Sequence, residues 1–260
     1  MLLAFDLDNT VVTQSNEIPP RIVAAVAAVK DAGHHISVLT GRPKASTTAF
    51  LEHLGVTGPY AVNHGATVFG HHDAVLQRSL IDAADVGTLI ARYGLEWGLE
   101  YAFMVDDDIF VADPEDPRWR WAHTLNRNVM TFAPELVRDA DKVVFGARER
   151  APELLSEVQA SYPELMKYSW ADGFFEMTGV GAHKGAALAR ICSELGVAQR
   201  DTVAFGDGVN DVTMMQWAGR AVAVGQAHPD VRAAADEQIA EPEADGVADW
   251  LAENLLGVGV

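Results

Sequence analysis

Residues 2–12 read LLAFDLDNTVV. Leu2, Leu3, Ala4 and Phe5 form a short apolar run closed by polar residues, the pattern of a strand buried on both faces of a parallel sheet. Two carboxylates, Asp6 and Asp8, therefore stand at the carboxyl end of a central strand. Ligands bind at that end of an open parallel sheet, so two acids one residue apart there point to chemistry before solubility.

The flanking sequence supplies the rest of such a sheet. PPRIVAAVAAVKDAG has prolines at its start, apolar residues at helical spacing (Ile22, Val23, Val26, Val29) and Gly33 beyond its end, which predicts a helix. HISVLTGR reads as a second buried strand, PKASTTAFLEHLG as a helix from about Pro43 to Gly55, and YAVNHGATVF as a third strand region. Strand, helix, strand, helix, strand is the order of a parallel α/β sheet with right-handed crossovers. The same rhythm returns from Lys184. There KGAALARICSELG, NDVTMMQWAG, PDVRAAAD and DGVADWLAENLLG read as helices, and DTVAFGD and RAVAVG as strands.

Between the two halves the pattern changes. Residues 81–181 hold Trp97, Trp119, Trp121 and Trp170, strand-like runs EYAFMV, IFVA, DKVVFGA and FFEMTG, and a helix-like APELLSEVQASYP. The expected architecture is a doubly wound α/β core from residues 1–80 and 182–260, with an α+β domain of residues 81–181 inserted into it. The acidic run VDDDIFVADPEDP lacks the loop spacing and glycine of a calcium-binding hand and reads as a hairpin. The tryptophans are expected in packing. Arg118, Arg120, Arg127, Arg138, Lys142, Arg148, Arg150 and Lys167 are too dispersed in sequence to decide whether the insert carries an anion-binding site of its own.

A chain of 260 residues with 49% hydrophobic content can bury a full core. Its 19 Lys+Arg against 37 Asp+Glu give a formal charge of -18, which argues against electrostatic binding to nucleic acid or to an anionic membrane. The single cysteine, Cys192, allows no internal disulfide and is expected to be inert core, as suits a reducing cytoplasm. No leader or membrane span is legible, so a cytoplasmic protein is expected.

Four short stretches fall at the ends of the candidate core strands or at a helix start: Asp6-Leu7-Asp8-Asn9-Thr10, Thr40-Gly41-Arg42, Lys184-Gly185, and Gly206-Asp207-Gly208-Val209-Asn210-Asp211. Each alone has an ordinary reading. A strand-end acid pair can cap a turn, Thr40 can cap a helix, Lys184 can be a surface lysine, the glycines can shape a turn, and His64 can be a satisfied structural histidine. Together they match what phosphoryl transfer to a carboxylate needs, which is a nucleophile, cations, a proton donor and dipoles around the phosphate oxygens. Asp6 can attack, with a hard cation such as Mg2+ between it, Asp207 and the phosphate. Asp8 can protonate the leaving oxygen and later deprotonate water. Thr40, the amides near Gly41 and Lys184 can bind phosphate, while Arg42 can either assist or pair structurally.

DLDNT, LTGR, HKG and GDGVND, in this order and at these separations, resemble the haloacid dehalogenase superfamily of aspartate-dependent phosphohydrolases. NHGATVF, the long insert and FFEMTGVGAHKG look like its Cof-type phosphatases with a type IIB cap. The resemblance implies Asp6 as nucleophile, Asp8 as acid/base residue, and Thr40 and Lys184 as phosphate ligands. It implies a Mg2+ site at Asp6, Asp207 and the Asp8 main-chain carbonyl, with Asn210 and Asp211 supporting metal or phosphate. Asn63 or His64 would face the substrate, since relatives carry Asn-Gly-Ala where this chain has Asn63-His64-Gly65-Ala66. The implied partner is a small phosphorylated metabolite, a sugar phosphate foremost, with no protein partner indicated. A sugar phosphomutase, a non-catalytic relative and a phosphoacceptor module are the alternatives; the last needs neither Asp8 nor the insert.

Overall fold

Leu2–Phe5 forms β1, and all four of its side chains are buried. A computed structural model of the protein describes residues 1–117, 127–170 and 173–257. After β1 come α1 (Pro20–Asp31), β2 (His35–Val38), α2 (Thr48–His53), β3 (Tyr60–Val62), β4 (Thr67–Phe69) and β5 (Val75–Arg78). The insert supplies α3 (Ala83–Leu89), β6 (Glu100–Val105), β7 (Asp108–Val111), β8 (Asn128–Thr131), β9 (Lys142–Gly146), α4 (Ala151–Ser161), β10 (Leu165–Ser169) and β11 (Phe174–Val180). The chain returns with α5 (Lys184–Leu195), β12 (Thr202–Gly206), α6 (Val212–Trp217), β13 (Arg220–Val224), α7 (Pro229–Ala234), β14 (Glu237–Ile239) and α8 (Gly246–Leu251).

The described residues divide into two compact units. One comprises the described residues of Met1–Arg42, Thr47–Gln77 and His183–Val260; the other comprises those of Pro43–Ser46 and Arg78–Ala182. The first unit is a parallel α/β sheet of order β14-β13-β12-β1-β2. β1 lies between β12 and β2, so the strand order reverses there, and the crevice beyond its carboxyl end is the place where ligands bind in such sheets. Strand alternation sends Leu3 and Phe5 to one face, against Ile22, Val26 and Val29 of α1 and Val247 and Leu251 of α8. Leu2 and Ala4 point to the other, against Leu188 and Ile191 of α5 and Met214 of α6. Both faces are covered, as the continuous apolar run of β1 requires. Phe5 stacks on Phe205 at 4.8 Å, and Trp250 meets Phe205 edge-on at 5.0 Å.

The second unit is a six-stranded sheet, β10-β11-β9-β6-β7-β8, antiparallel apart from the β7–β8 pair. Phe103, Phe110, Phe145 and Phe175 line one face and pack with Val86, Leu89, Leu154 and Val158 of α3 and α4. The acidic run forms the β6–β7 hairpin, with Asp106 at φ +52 in the turn.

Three sequence expectations are corrected. The helix expected from Pro43 starts at Thr48; the residues before it are not helical, and there the Ala45 amide donates to the Asp107 carboxylate (2.9 Å). The single strand region expected over YAVNHGATVF is two strands around a turn in which Asn63, His64 and Gly65 all have positive φ. β5, β8, β10, β14 and α3 are not predicted from the sequence; four are strands of three to five residues, too short for a clear period-2 signal. Trp170 lies beside Tyr168, with ring centroids 6.3 Å apart, whereas Arg118, Trp119, Arg120 and Trp121 fall outside the described residues. Cys192 is buried in the core, and no described helix is long and apolar enough to cross a membrane.

Candidate active site

Asp6 extends the β1 ladder by one bond, its amide donating to the Phe205 carbonyl at 3.0 Å, which fixes it beside the end of β12. Lys184 is the first residue of α5. Its ammonium is wholly buried and donates to Asp6 Oδ1 and Asp211 Oδ1, each at 2.5 Å. Burial works against that charge, but the two carboxylates outweigh it and hold the Lys184 pKa above the ordinary lysine value. For Asp6, burial pushes the pKa well up; Lys184 opposes the rise, while Asp211, Asp207 and Asp8 add to it. Asp207 is raised to about 7, chiefly by burial and then by Asp211.

Asp211 is buried with both oxygens engaged. Oδ1 accepts from Lys184, and Oδ2 accepts from the backbone amides of Asp207 (3.0 Å) and Gly208 (2.9 Å). A Cβ on Gly206 would stand 2.6 Å from the Asp211 carboxyl carbon, so only glycine lets this acid fold back under the strand end. Asp211, which the sequence places among the metal ligands or their supports, thus also organises its own loop and the lysine. Asp207 Oδ1 accepts from the Thr10 hydroxyl at 3.1 Å.

Thr40 is buried at the end of the β2 segment, and its hydroxyl oxygen accepts from the Arg42 amide at 3.1 Å. Its hydroxyl proton is therefore available to an anion. Asn63 and His64 are both buried; the His64 amide donates to the Thr40 carbonyl and the Asn63 amide to the Arg42 carbonyl, each at 2.9 Å, which ties the turn to the Thr40–Arg42 loop. His64 Nδ1 lies 3.1 Å from Asn210 Nδ2, and its ring covers Gly41 so closely that a Cβ there would be 2.4 Å from Cε1.

Asp8 stands apart from the other acids. Its carboxylate pairs with the Arg42 guanidinium, Nε lying 2.9 Å from Oδ2 and Nη2 bonding Oδ1. Arg42, for which the sequence leaves open a phosphate contact or a structural pairing, is engaged with Asp8 here. His183, inside HKG but given no role from sequence, caps α5: its Nδ1 accepts from the Ala186 amide at 3.1 Å, and burial lowers its pKa, in keeping with an unprotonated acceptor. Asn16 and Phe50, which hold Arg42, were also missed; neither carries a motif, and only the folded chain brings them together.

One oxygen from each of Asp6, Asp207 and Asp211 lies within 4.8 Å of the others. Three carboxylates face one buried ammonium, so negative charge is in excess where little water can screen it. That donor set fits a hard divalent cation, with Asp6 and Asp207 retaining the most ligand capacity.

The sequence model of the haloacid dehalogenase-like hydrolases matches residues 3–251. The chain belongs to this family. Pyridoxal phosphate phosphatase YbhA of Escherichia coli (strain K12) is 28% identical over 98% of both chains. A 5-amino-6-(5-phospho-D-ribitylamino)uracil phosphatase, YitU of Bacillus subtilis (strain 168), is 28% identical over 97% of this chain and 96% of its own. Among solved structures, the haloacid dehalogenase subclass IIB sugar phosphatase BT4131 superposes with a TM-score of 0.85 at 28% identity, covering 97% of this chain and 98% of that one. This haloacid dehalogenase-like hydrolase is accordingly an enzyme of the phosphatase kind, with the doubly wound fold of its family.

Proposed function

We propose that this phosphatase hydrolyses small phosphate monoesters, sugar phosphates foremost, with Mg2+ and through an aspartyl phosphate on Asp6. The observation that carries the reading is the buried Asp6–Lys184–Asp211 cluster at the switch point of the sheet, with Thr40 and Asp207 on the flanking strand ends. Similarity to a sugar phosphatase structure and to phosphatases of small phosphorylated metabolites supports the substrate class.

In this reading an Asp6 oxygen attacks phosphorus. The ester P–O bond breaks, and the leaving alkoxide takes the proton held by Asp8. Water then attacks the phosphorus of the acyl phosphate, Asp8 recovers the water's proton, and inorganic phosphate leaves with Asp6 restored. Lys184 and the Thr40 hydroxyl hold phosphate oxygens throughout. Asp6, Asp207 and the Asp8 carbonyl would hold Mg2+, which supplies charge neutralisation between carboxylate and phosphate. Selection among esters is assigned to the inserted α+β domain, residues 81–181, and no protein partner is needed.

The test is phosphate release from sugar phosphates, polyol phosphates, nucleotides and p-nitrophenyl phosphate, with Asp6→Asn and an EDTA control in parallel. Release that disappears in both controls, with an acid-trapped phosphoenzyme in the wild type, is expected. A folded, metal-loaded protein that transfers phosphate between sugars without releasing it would instead indicate a mutase.

A further inference from the structure

Arg42 is held from every side. Its amide donates to Thr40 Oγ1 at 3.1 Å and its carbonyl accepts from the Asn63 amide at 2.9 Å, so its backbone is fixed. The Nε hydrogen is shared between the two oxygens of Asp8, at 2.9 and 3.2 Å. Of the two hydrogens on Nη2, one serves Asp8 Oδ1 and the other Asn16 Oδ1 at 2.8 Å. Cζ stands 4.6 Å from the centroid of the Phe50 ring. Only Nη1 has hydrogens that these contacts do not engage.

Asp8 complements this. Its main chain is fixed by the reversal after β1, where Asn9 takes φ +54 and its amide donates to the Val12 carbonyl at 2.9 Å. Its side chain, however, is 53% exposed, and the Arg42 fork is what sets its direction. An ion pair that open to water contributes little to folding. A planar fork with two anchors of its own does, however, fix carboxylate orientation at small entropic cost.

We infer that Arg42, braced by Asn16 and Phe50, is a positioning residue that aims the Asp8 carboxyl at the leaving-group oxygen, and is not a phosphate ligand. The inference rests on the proposed role of Asp8 as the acid/base residue. Acid/base catalysis depends on geometry first, and a catalytic base is commonly oriented by a third group in this manner.

Leaving-group dependence separates this role from a structural one. An activated aryl ester such as p-nitrophenyl phosphate expels a stable phenolate and needs little protonation, whereas an alkyl ester needs a well-placed proton. We therefore expect Arg42→Met to lower kcat/KM by about a hundredfold for alkyl phosphates, within the usual range for general acid catalysis, and by only a few-fold for p-nitrophenyl phosphate. Arg42→Lys, which keeps the charge but loses the fork, should fall between, and the inhibition constant of inorganic phosphate should stay near wild type. In an Asp8→Asn background Arg42→Met should cost nothing further on alkyl esters, since the two act as one unit. Equal losses on both ester types with weakened phosphate inhibition would overturn the inference in favour of a phosphate ligand; no loss on either would overturn it in favour of an inert surface pair. If Arg42→Met does not fold, Arg42→Lys and Asn16→Ala carry the same comparison. A wild type inactive on every ester would refute the proposed function itself. A steep Asp8→Asn response with a flat Arg42 response would refute only the inference.

Discussion

Replacing Lys184 by methionine tests the electrostatic core of the site. The ammonium contacts two buried carboxylates at 2.5 Å each and is itself wholly buried. At an effective dielectric of about 20, each unit-charge pair with centres about 4 Å apart contributes ~4 kcal/mol, hence ~8 for two. Desolvating the ammonium takes back several kcal/mol, which leaves a net loss of about 3–5 kcal/mol when one partner of a buried cluster is removed. Methionine fills most of the same volume, so the loss is electrostatic in origin. Urea unfolding in EDTA near neutral pH should show it. The variant should also respond more strongly to Mg2+ than the wild type, because the carboxylates left behind lack their cation and binding to the native state stabilises in proportion to affinity. A loss below about 1 kcal/mol together with an unchanged Mg2+ response would refute the reasoning.

Gly206→Ala should destabilise by about 1–3 kcal/mol and reduce turnover, because its Cβ must displace the Asp211 carboxyl; denaturation and kinetics together check this. His183 accepts the Ala186 amide only when unprotonated, and its folded pKa lies below 6.5. Its stabilisation is therefore complete above the ordinary histidine value and is lost as pH falls through the lower folded value, so the stability gap to His183→Asn should change across that window and be flat above it. The Cys192 thiol, raised from 9.0 to about 11 by burial, should carry about a hundredfold less thiolate than an ordinary cysteine at mildly alkaline pH. Thiol reagents should label it only at the rate of unfolding, and rapid labelling of the native protein would contradict its place in the core.

The sheet was legible because β1, β2 and β12 are apolar on both faces and end in the motif residues, which ties pattern to position. The direction of each side chain was not. DLDNT places two acids within reach of one site, yet it does not say that Asp6 turns to Lys184 while Asp8 turns to Arg42. That division depends on the Asn9 reversal and on Asn16 and Phe50, which approach Arg42 through tertiary folding alone. The Asn63–Gly65 turn is masked in VNHGATV by strand-like residues on both sides of it, although Asn and His are among the non-glycine residues most often found at positive φ and Asn63-His64-Gly65 is a turn signal in its own right. In the insert, β8 and β10 are stabilised by their neighbours in the sheet more than by their own periodicity.

The two acids of GDGVND, four residues apart, do separable work, and paired substitutions should move in opposite directions. Asp211 holds Lys184 and two backbone amides, so Asp211→Asn turns an amide group toward the ammonium or toward those amides and leaves a buried donor without an acceptor. The metal-free protein should lose about 2–4 kcal/mol, the range for a broken buried polar contact and ion pair combined. Asp207 is the reverse case. Its folded pKa of about 7, against 3.8, means that the charged form is disfavoured where it stands. The stability associated with that raised value is present below the ordinary carboxylate range and is lost as pH rises through about 7. Asp207→Asn, which can still accept from Thr10, should therefore raise the metal-free midpoint, most clearly above neutral pH, and should abolish stabilisation by Mg2+. Thermal melts of both variants with EDTA and with Mg2+ decide the matter. If the two variants shift the metal-free midpoint in the same direction, the division between an organising acid and a metal-ligating acid is wrong.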